Sequence, residues 1–173
     1  MSDPDNTESL AAKGAALAPS PAAAAKSAEA IFSSVADDAP SERVWLAEDG
    51  ASSTALSRAL VIECSTLSLG FVRKLSAAAA AQKCRYLNCS VNGIPAAAAA
   101  GELVLLVGEP KDDPERARPL LEVISSQILH FGDVGTGTAF KLINNLLGAV
   151  HIASIAEAVH LAHKLDLEQN RSE

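Results

Sequence analysis

Short apolar runs of strand length recur along the chain, and they constrain its fold more than any other feature. They stand at Ala30–Val35, Leu60–Glu63, Arg85–Val91, Leu103–Val107 and Gln127–Phe131. Leu103–Val107 is apolar at every position and closes on Gly108. A strand that wets one face alternates apolar with polar residues; a strand covered on both faces has no need to. The stretches between these runs have helical composition. Ser20-Pro21 reads as an N-cap and first helical residue before an alanine run. Asp37-Asp38-Ala39-Pro40 opens a helix that should reach about Leu46, and Ser68 to Gln82 forms another, weakened at Gly70. Asp113-Pro114-Glu115 begins a helix expected to run to about Ser125, with Pro119 as a kink. Thr7 to Lys13 is a short helical pattern closed by Gly14, and Ile94 to Ala100 suits either state. Alternation of this kind predicts an α/β fold with a mostly parallel sheet and flanking helices.

The end of the chain breaks that rhythm. Gly132 to Gly137 is a glycine-rich turn, and a helical stretch from Gly137 to Lys164 follows it. At 1.5 Å per residue such a helix extends about 40 Å, more than a crossover needs. It carries Leu142, Leu146, Val150, Ile155, Val159 and Leu161, interrupted by Asn144, Asn145, His151, Glu157, His160, His163 and Lys164. The interruptions favour a buried or interfacial helix over a membrane span, and self-association through it is expected. The division expected is a flexible N-terminus at 1–8, a sheet domain at 9–136, the long helix at 137–165 and a flexible tail at 166–173.

Charge and composition exclude several partners. The 173 residues carry 14 Lys+Arg and 21 Asp+Glu, a formal net charge of −7. An acidic chain without a basic stripe is a poor match for nucleic acid or an anionic membrane surface. Met1 to Asn6 is polar and acidic, unlike a secretory leader. Cys64, Cys84 and Cys89 fit no C-x-x-C spacing, so reduced thiols and a cytoplasmic location are expected. The four histidines form no metal-ligand spacing, and no metal is expected. Asp112 and Asp113, like Asp37 and Asp38, read as helix-start acids.

Two stretches have the residue types chemistry needs. After the glycine turn, Lys141 and Asn145 are four apart and share one face of the helix. A lysine and an amide in one wall can hydrogen-bond one small oxygenated molecule, and partial burial would bring the lysine toward proton-transfer range. A solvated lysine beside surface amides satisfies the same spacing. The second stretch is Glu63-Cys64-Ser65-Thr66-Leu67-Ser68, where a buried strand gives way to small hydroxyls. Ligands of open α/β sheets bind beyond the carboxyl ends of strands. The hydroxyls equally suit caps of the next helix.

Four segments in order resemble the β-hydroxyacid dehydrogenases, whose members include 3-hydroxyisobutyrate dehydrogenase and whose first domain takes its name from 6-phosphogluconate dehydrogenase. They are the acidic-x-Ser-Thr-x-Ser stretch at Glu63–Ser68, the strand and glycine at Asn88–Gly93, Gly101-Glu102-Leu103 running into Val107-Gly108, and Gly-x-x-Gly-x-Gly-x-x-x-Lys-x-x-Asn-Asn at Gly132–Asn145. The resemblance implies a partial Rossmann-like domain followed by one long α-helix. It implies NADP or NAD as cofactor and a small carboxylic acid or aldehyde as substrate. Lys141 matches the catalytic acid/base, and Asn145 the amide that holds substrate beside it. Ser65, Asn92 and Gly93 match substrate-binding positions; Val35, Ala36 and Thr66 match positions along the cofactor. The sequence departs from the family at Asn92, where a serine is usual, at Ile94 for a second glycine and at Leu69 for a proline. No G-x-G-x-x-G occurs, so a shortened enzyme with weak cofactor binding is expected. The alternative is a non-catalytic remnant acting as a small structural or interaction protein.

Overall fold

The computed structural model describes residues 4–109 and 114–167. Five strands form one sheet in the order β1 (Ala30–Ser33), β2 (Leu60–Glu63), β3 (Arg85–Asn92), β4 (Leu103–Gly108) and β5 (Ser125–His130). β1, β2 and β3 are mutually parallel, with Ala30 opposite Leu60 and Leu60 opposite Arg85. β4 runs antiparallel to β3, and β5 is parallel to β4. The reversal follows from chain length. Only residues 93–102 join β3 to β4, and a parallel crossover needs a dozen or more. Within that link lies α5 (Pro95–Ala100), which settles the ambiguous segment as helix.

The sheet is covered on both faces, as its apolar strands require. Leu60, Ile62, Leu87, Cys89, Leu105 and Val107 project to one face and pack with Ala117 and Leu121 of α6 (Pro114–Leu121). Val61 projects to the other face, among Ala25 of α2 (Pro21–Ala25), Trp45 of α3 (Asp38–Leu46) and Phe71, Val72 and Leu75 of α4 (Leu69–Ala81). The caps read from the sequence form: Ser20 accepts the Ala23 N–H, Asp37 the Ala39 N–H, and Ser68 the Phe71 N–H. Cys64 and Cys89 lie buried as free thiols and fill space as small apolar side chains.

Some boundaries differ from the expectation. α1 (Pro4–Ala11) starts before Thr7, inside the segment assigned to a flexible end. β1 stops at Ser33, so Val35 and Ala36 lie beyond it in the following loop. α6 ends at Leu121 rather than near Ser125, and β5 starts at Ser125 rather than Gln127. The Ser125 hydroxyl donates to the Leu121 carbonyl and closes the helix, while Ser125 pairs with Leu103 and so joins the sheet. Pro119 is tolerated inside α6. Asp112 and Asp113, and the tail from Glu168, lie outside the described residues.

The last helix, α7 (Thr136–Lys164), spans 29 residues. Its first turn packs on β3 and β4, with Gly137 and Thr138 buried. Beyond that turn its large apolar side chains are exposed, Leu146 at 62% and Ile152 at 73%. The expected burial is therefore confined to one end. By length and composition alone α7 is apolar enough to cross a membrane, with a window of mean hydropathy 1.4.

Candidate active site

Three parallel strands end at one edge of the sheet, so the loops after β1, β2 and β3 are gathered there. Val35 and Ala36, Ser65 and Thr66, and Asn92 and Gly93 occupy those three positions. Separations of 30 and 27 residues in sequence thus become adjacent loops. α7 supplies the fourth component. It starts against β4 and brings Lys141 to the end of β3, where Lys141 Nζ donates to Asn92 Oδ1 at 3.1 Å.

The start of α7 is fixed by close packing. A Cβ on Gly137 would lie 2.2 Å from the Leu106 carbonyl oxygen, so only glycine lets the helix approach β4 this closely. Gly135 just before it has φ +94°, the left-handed conformation glycine adopts freely. The next residue, Thr138, is fully buried with Asn88 and Ser90 of β3. The Asn88 Nδ2 donates to Thr138 Oγ1 at 2.8 Å, and the Thr138 N–H donates to Asn88 Oδ1 at 3.2 Å. Ser90 Oγ lies 3.1 Å from the same threonine hydroxyl. One N–H of the first helical turn, which has no partner within the helix, is satisfied in this way. Phe140 stacks on Phe131, the residue after β5, with ring centroids 4.4 Å apart. Lys141 stands one turn beyond Thr138 on the same side, so the buried lock aims it at the strand ends.

Burial pushes the Lys141 amine below its ordinary value of 10.5. Its acceptor is a neutral amide, and among the described residues it makes no ion pair. Asn145, one turn further on, is exposed, and the hydrogen bond of Lys141 goes to Asn92 instead. Gly93 has φ +148°, and a Cβ there would lie 2.8 Å from Leu103 Cδ2, so its glycine is required by the turn.

Where α7 passes the loop after β2 there is an open groove of about 650 Å³. Asp37, Ala39, Thr66, Ser68 and Leu69 line one part, and Leu142 of α7 closes another. Thr66 and the lysine-bearing helix therefore share one concavity. Ser68 is held by Asp38, whose carboxylate accepts its N–H at 2.8 Å and its hydroxyl at 2.6 Å. Ser65 is buried and does not line the groove. Its hydroxyl oxygen accepts the Val35 N–H at 2.8 Å, which straps the loop after β1 to the loop after β2.

The sequence reading passed over the buried hub behind these loops. Glu63 is fully buried; its Oε2 accepts the Ser41 hydroxyl at 2.8 Å and the Trp45 indole N–H at 2.7 Å, and its Oε1 accepts the Ser65 N–H at 2.9 Å. The available signal was a carboxylate ending an apolar strand, with Ser41 and the lone tryptophan four apart on a helix. Asn88, Ser90 and Thr138 were passed over as well. Polar residues at alternate positions of β3 marked that polar face.

Comparison with known proteins shows the family. The sequence profile of the family described as the NAD binding domain of 6-phosphogluconate dehydrogenase matches residues 2–132. The chain belongs to this family. It is 32% identical over 167 residues to the probable mitochondrial 3-hydroxyisobutyrate dehydrogenase of Dictyostelium discoideum, covering 96% of this chain and 52% of that protein. It is 35% identical over 159 residues to the 3-hydroxyisobutyrate dehydrogenase of Pseudomonas aeruginosa, covering 92% and 53%. The structure of Mycobacterium tuberculosis 3-hydroxyisobutyrate dehydrogenase with L-serine superposes with a TM-score of 0.84 at 34% identity, over 96% of this chain and 57% of that one. The chain thus spans about half the length of the relatives it matches.

The family implies a nicotinamide dinucleotide, and the residues present fit one end of it. The groove at Thr66 is open and also lined by Asp37, in the loop that carries Val35 and Ala36. The only Gly-x-Gly, at Gly135–Gly137, does not suit a pyrophosphate, because the Leu106 and Val107 backbone already fills the space around Gly137.

Proposed function

We propose that the chain is the lysine-bearing, nicotinamide-facing portion of an NAD(P)-dependent oxidoreductase of the β-hydroxyacid dehydrogenase type. The reaction moves a hydride between the nicotinamide and a small β-hydroxy acid or its semialdehyde. One observation carries this reading: Lys141 reaches the end of β3, with Nζ 3.1 Å from Asn92 Oδ1, and the helix that bears it also lines the groove at Thr66 through Leu142. The nicotinamide, when bound, supplies or accepts the hydride. Lys141 Nζ exchanges the proton with the substrate oxygen, a task that its lowered pKa favours. Asn92 retains Nδ2–H donors for a substrate carboxylate while its Oδ1 holds the lysine. Asn145 lies one turn away on the same helix, within reach of a substrate larger than the gap between them.

The exposed apolar length of α7 supports self-association, and a second copy or the further half present in longer relatives would cover it. Assays of 3-hydroxyisobutyrate, tartronate semialdehyde, glyoxylate and succinic semialdehyde with NADH/NAD and NADPH/NADP at saturating levels test the activity. Turnover of at least one acid–aldehyde couple is expected. No turnover on any of the four with either coenzyme contradicts the proposal for this chain.

A further inference from the structure

We propose that Lys141 captures small aldehydes covalently, as an imine, without any coenzyme. The inference rests on the same lysine as the dehydrogenase reading but on a different chemistry. Imine formation needs an amine with its lone pair free, a rigid stem and an approach for the carbonyl carbon.

The backbone that bears Lys141 is fixed because α7 is pinned one turn earlier. Thr138, Asn88 and Ser90 form a buried hydrogen-bonded lock, and Gly137 sits against β4 backbone. The acceptor of Lys141 is the Asn92 amide oxygen, at 3.1 Å. A neutral amide takes one N–H and does not hold a proton on the amine, as a carboxylate would. With one N–H directed at Asn92, the lone pair of the unprotonated amine has no hydrogen-bond donor on it among the described residues. Burial lowers the pKa and so enlarges the unprotonated fraction. Lys74 shows the contrast within the same chain. It is paired with the Glu42 carboxylate on an exposed surface, whereas Lys141 has only an amide oxygen.

The step balances without oxidant or reductant. The Lys141 nitrogen adds to the aldehyde carbon, forming the C–N bond, and the carbonyl oxygen takes up a proton. A second proton lets that oxygen leave as water while C=N forms, and the two protons the oxygen takes up are matched by the two the nitrogen gives up through solvent.

The test uses the full 173-residue chain with glyoxylate and cyanoborohydride, which reduces the imine to a stable secondary amine. Peptide mass spectrometry then reads each lysine. Lys141 is expected to label faster than Lys13, Lys26, Lys83 and Lys164, by on the order of tenfold. Urea should abolish that lead, because the lead depends on folded geometry. Asn92→Asp should slow Lys141 by about tenfold or more, since an adjacent carboxylate raises a lysine pKa by a unit or more. Circular dichroism confirms that the variant is folded, which its exposed position favours. Equal labelling of all lysines overturns the proposal, as does a lead that survives urea or Asn92→Asp. The two readings separate cleanly. Selective labelling without hydride transfer leaves imine capture alone, and hydride transfer without selective labelling leaves the dehydrogenase alone.

Discussion

The two ends of α7 are built on opposite terms. At Thr136–Lys141 the helix is pressed onto β4 at Gly137 and hydrogen-bonded through Thr138 to Asn88. From Ile143 onward its leucines, valines and isoleucines are exposed among the described residues. One continuous helix therefore carries a positioned lysine at one end and an uncovered apolar surface at the other. Helix propensity sustains both parts, but only the first is specified by tertiary contacts. The candidate lysine thus follows directly on the tightest steric fit of the helix, at Gly137 and Thr138, while the apolar pattern visible in the sequence belongs to the other end.

The most severe way to break this asymmetry is Gly137→Ala. Its methyl would meet the Leu106 carbonyl oxygen at 2.2 Å, and neither backbone can yield cheaply. A loss of about 3 kcal/mol or more is expected from overpacking at a site this tight. Urea denaturation checks it; a change below 1 kcal/mol, on the order expected for a surface position, would show that the helix start is not held by this approach.

Next in size is Thr138→Val. It keeps the shape and removes the hydroxyl that Asn88 and Ser90 share, leaving buried polar groups without their partner at a cost of about 1–3 kcal/mol. Thr138→Ser retains the hydroxyl and should recover most of that loss. If the valine and serine variants have equal midpoints, the buried polar lock contributes nothing.

The far end should respond differently. Replacing Leu146, Val150 and Ile155 together by Gln should alter monomer stability by roughly 0.5 kcal/mol or less, as exposed substitutions do. The same change should reduce self-association in analytical ultracentrifugation. A wild-type chain that stays monomeric at high concentration would remove the proposed role of this surface.

The smallest effect is a pH dependence from Lys141. Its folded pKa is below the unfolded value near 10.5, so in that interval the unfolded state binds more protons. The penalty is present at neutral pH and is relieved as pH rises through the lowered pKa toward 10.5. Lys141→Met should flatten that rise. An unchanged slope of stability against pH between wild type and variant would mean that burial does not act on this amine.

Much of this was legible in the residues because single positions decide it. Leu60–Glu63 could hardly be anything but a buried strand, and the glycine turn before Lys141 fixed the start of α7 to within one residue. The four motif segments gave the family, which the match over residues 2–132 shows. What stayed hidden depends on partners distant in sequence. The lock of Asn88 and Thr138 joins residues 50 apart, and neither side chain advertises the other. Ser65 was read as a substrate-binding hydroxyl, and its burial under Val35 appears only when two strand ends meet. The direction of β4 follows from the shortness of its link to β3, which is visible only once both strand ends are known.

The central claim is that the tightly fitted start of α7 exists to hold Lys141 as an acid/base at the strand ends. Steady-state turnover of Lys141→Ala, on a substrate and coenzyme that the wild type accepts, tests it most directly. The account predicts a fall of about 10²–10⁴-fold in turnover, the usual contribution of a positioned acid/base. Coenzyme affinity should be little changed, and Lys141→Arg should restore almost nothing because a guanidinium keeps its proton. Turnover by Lys141→Ala close to that of the wild type would contradict the claim and leave the lysine as a surface cation on a well-packed helix.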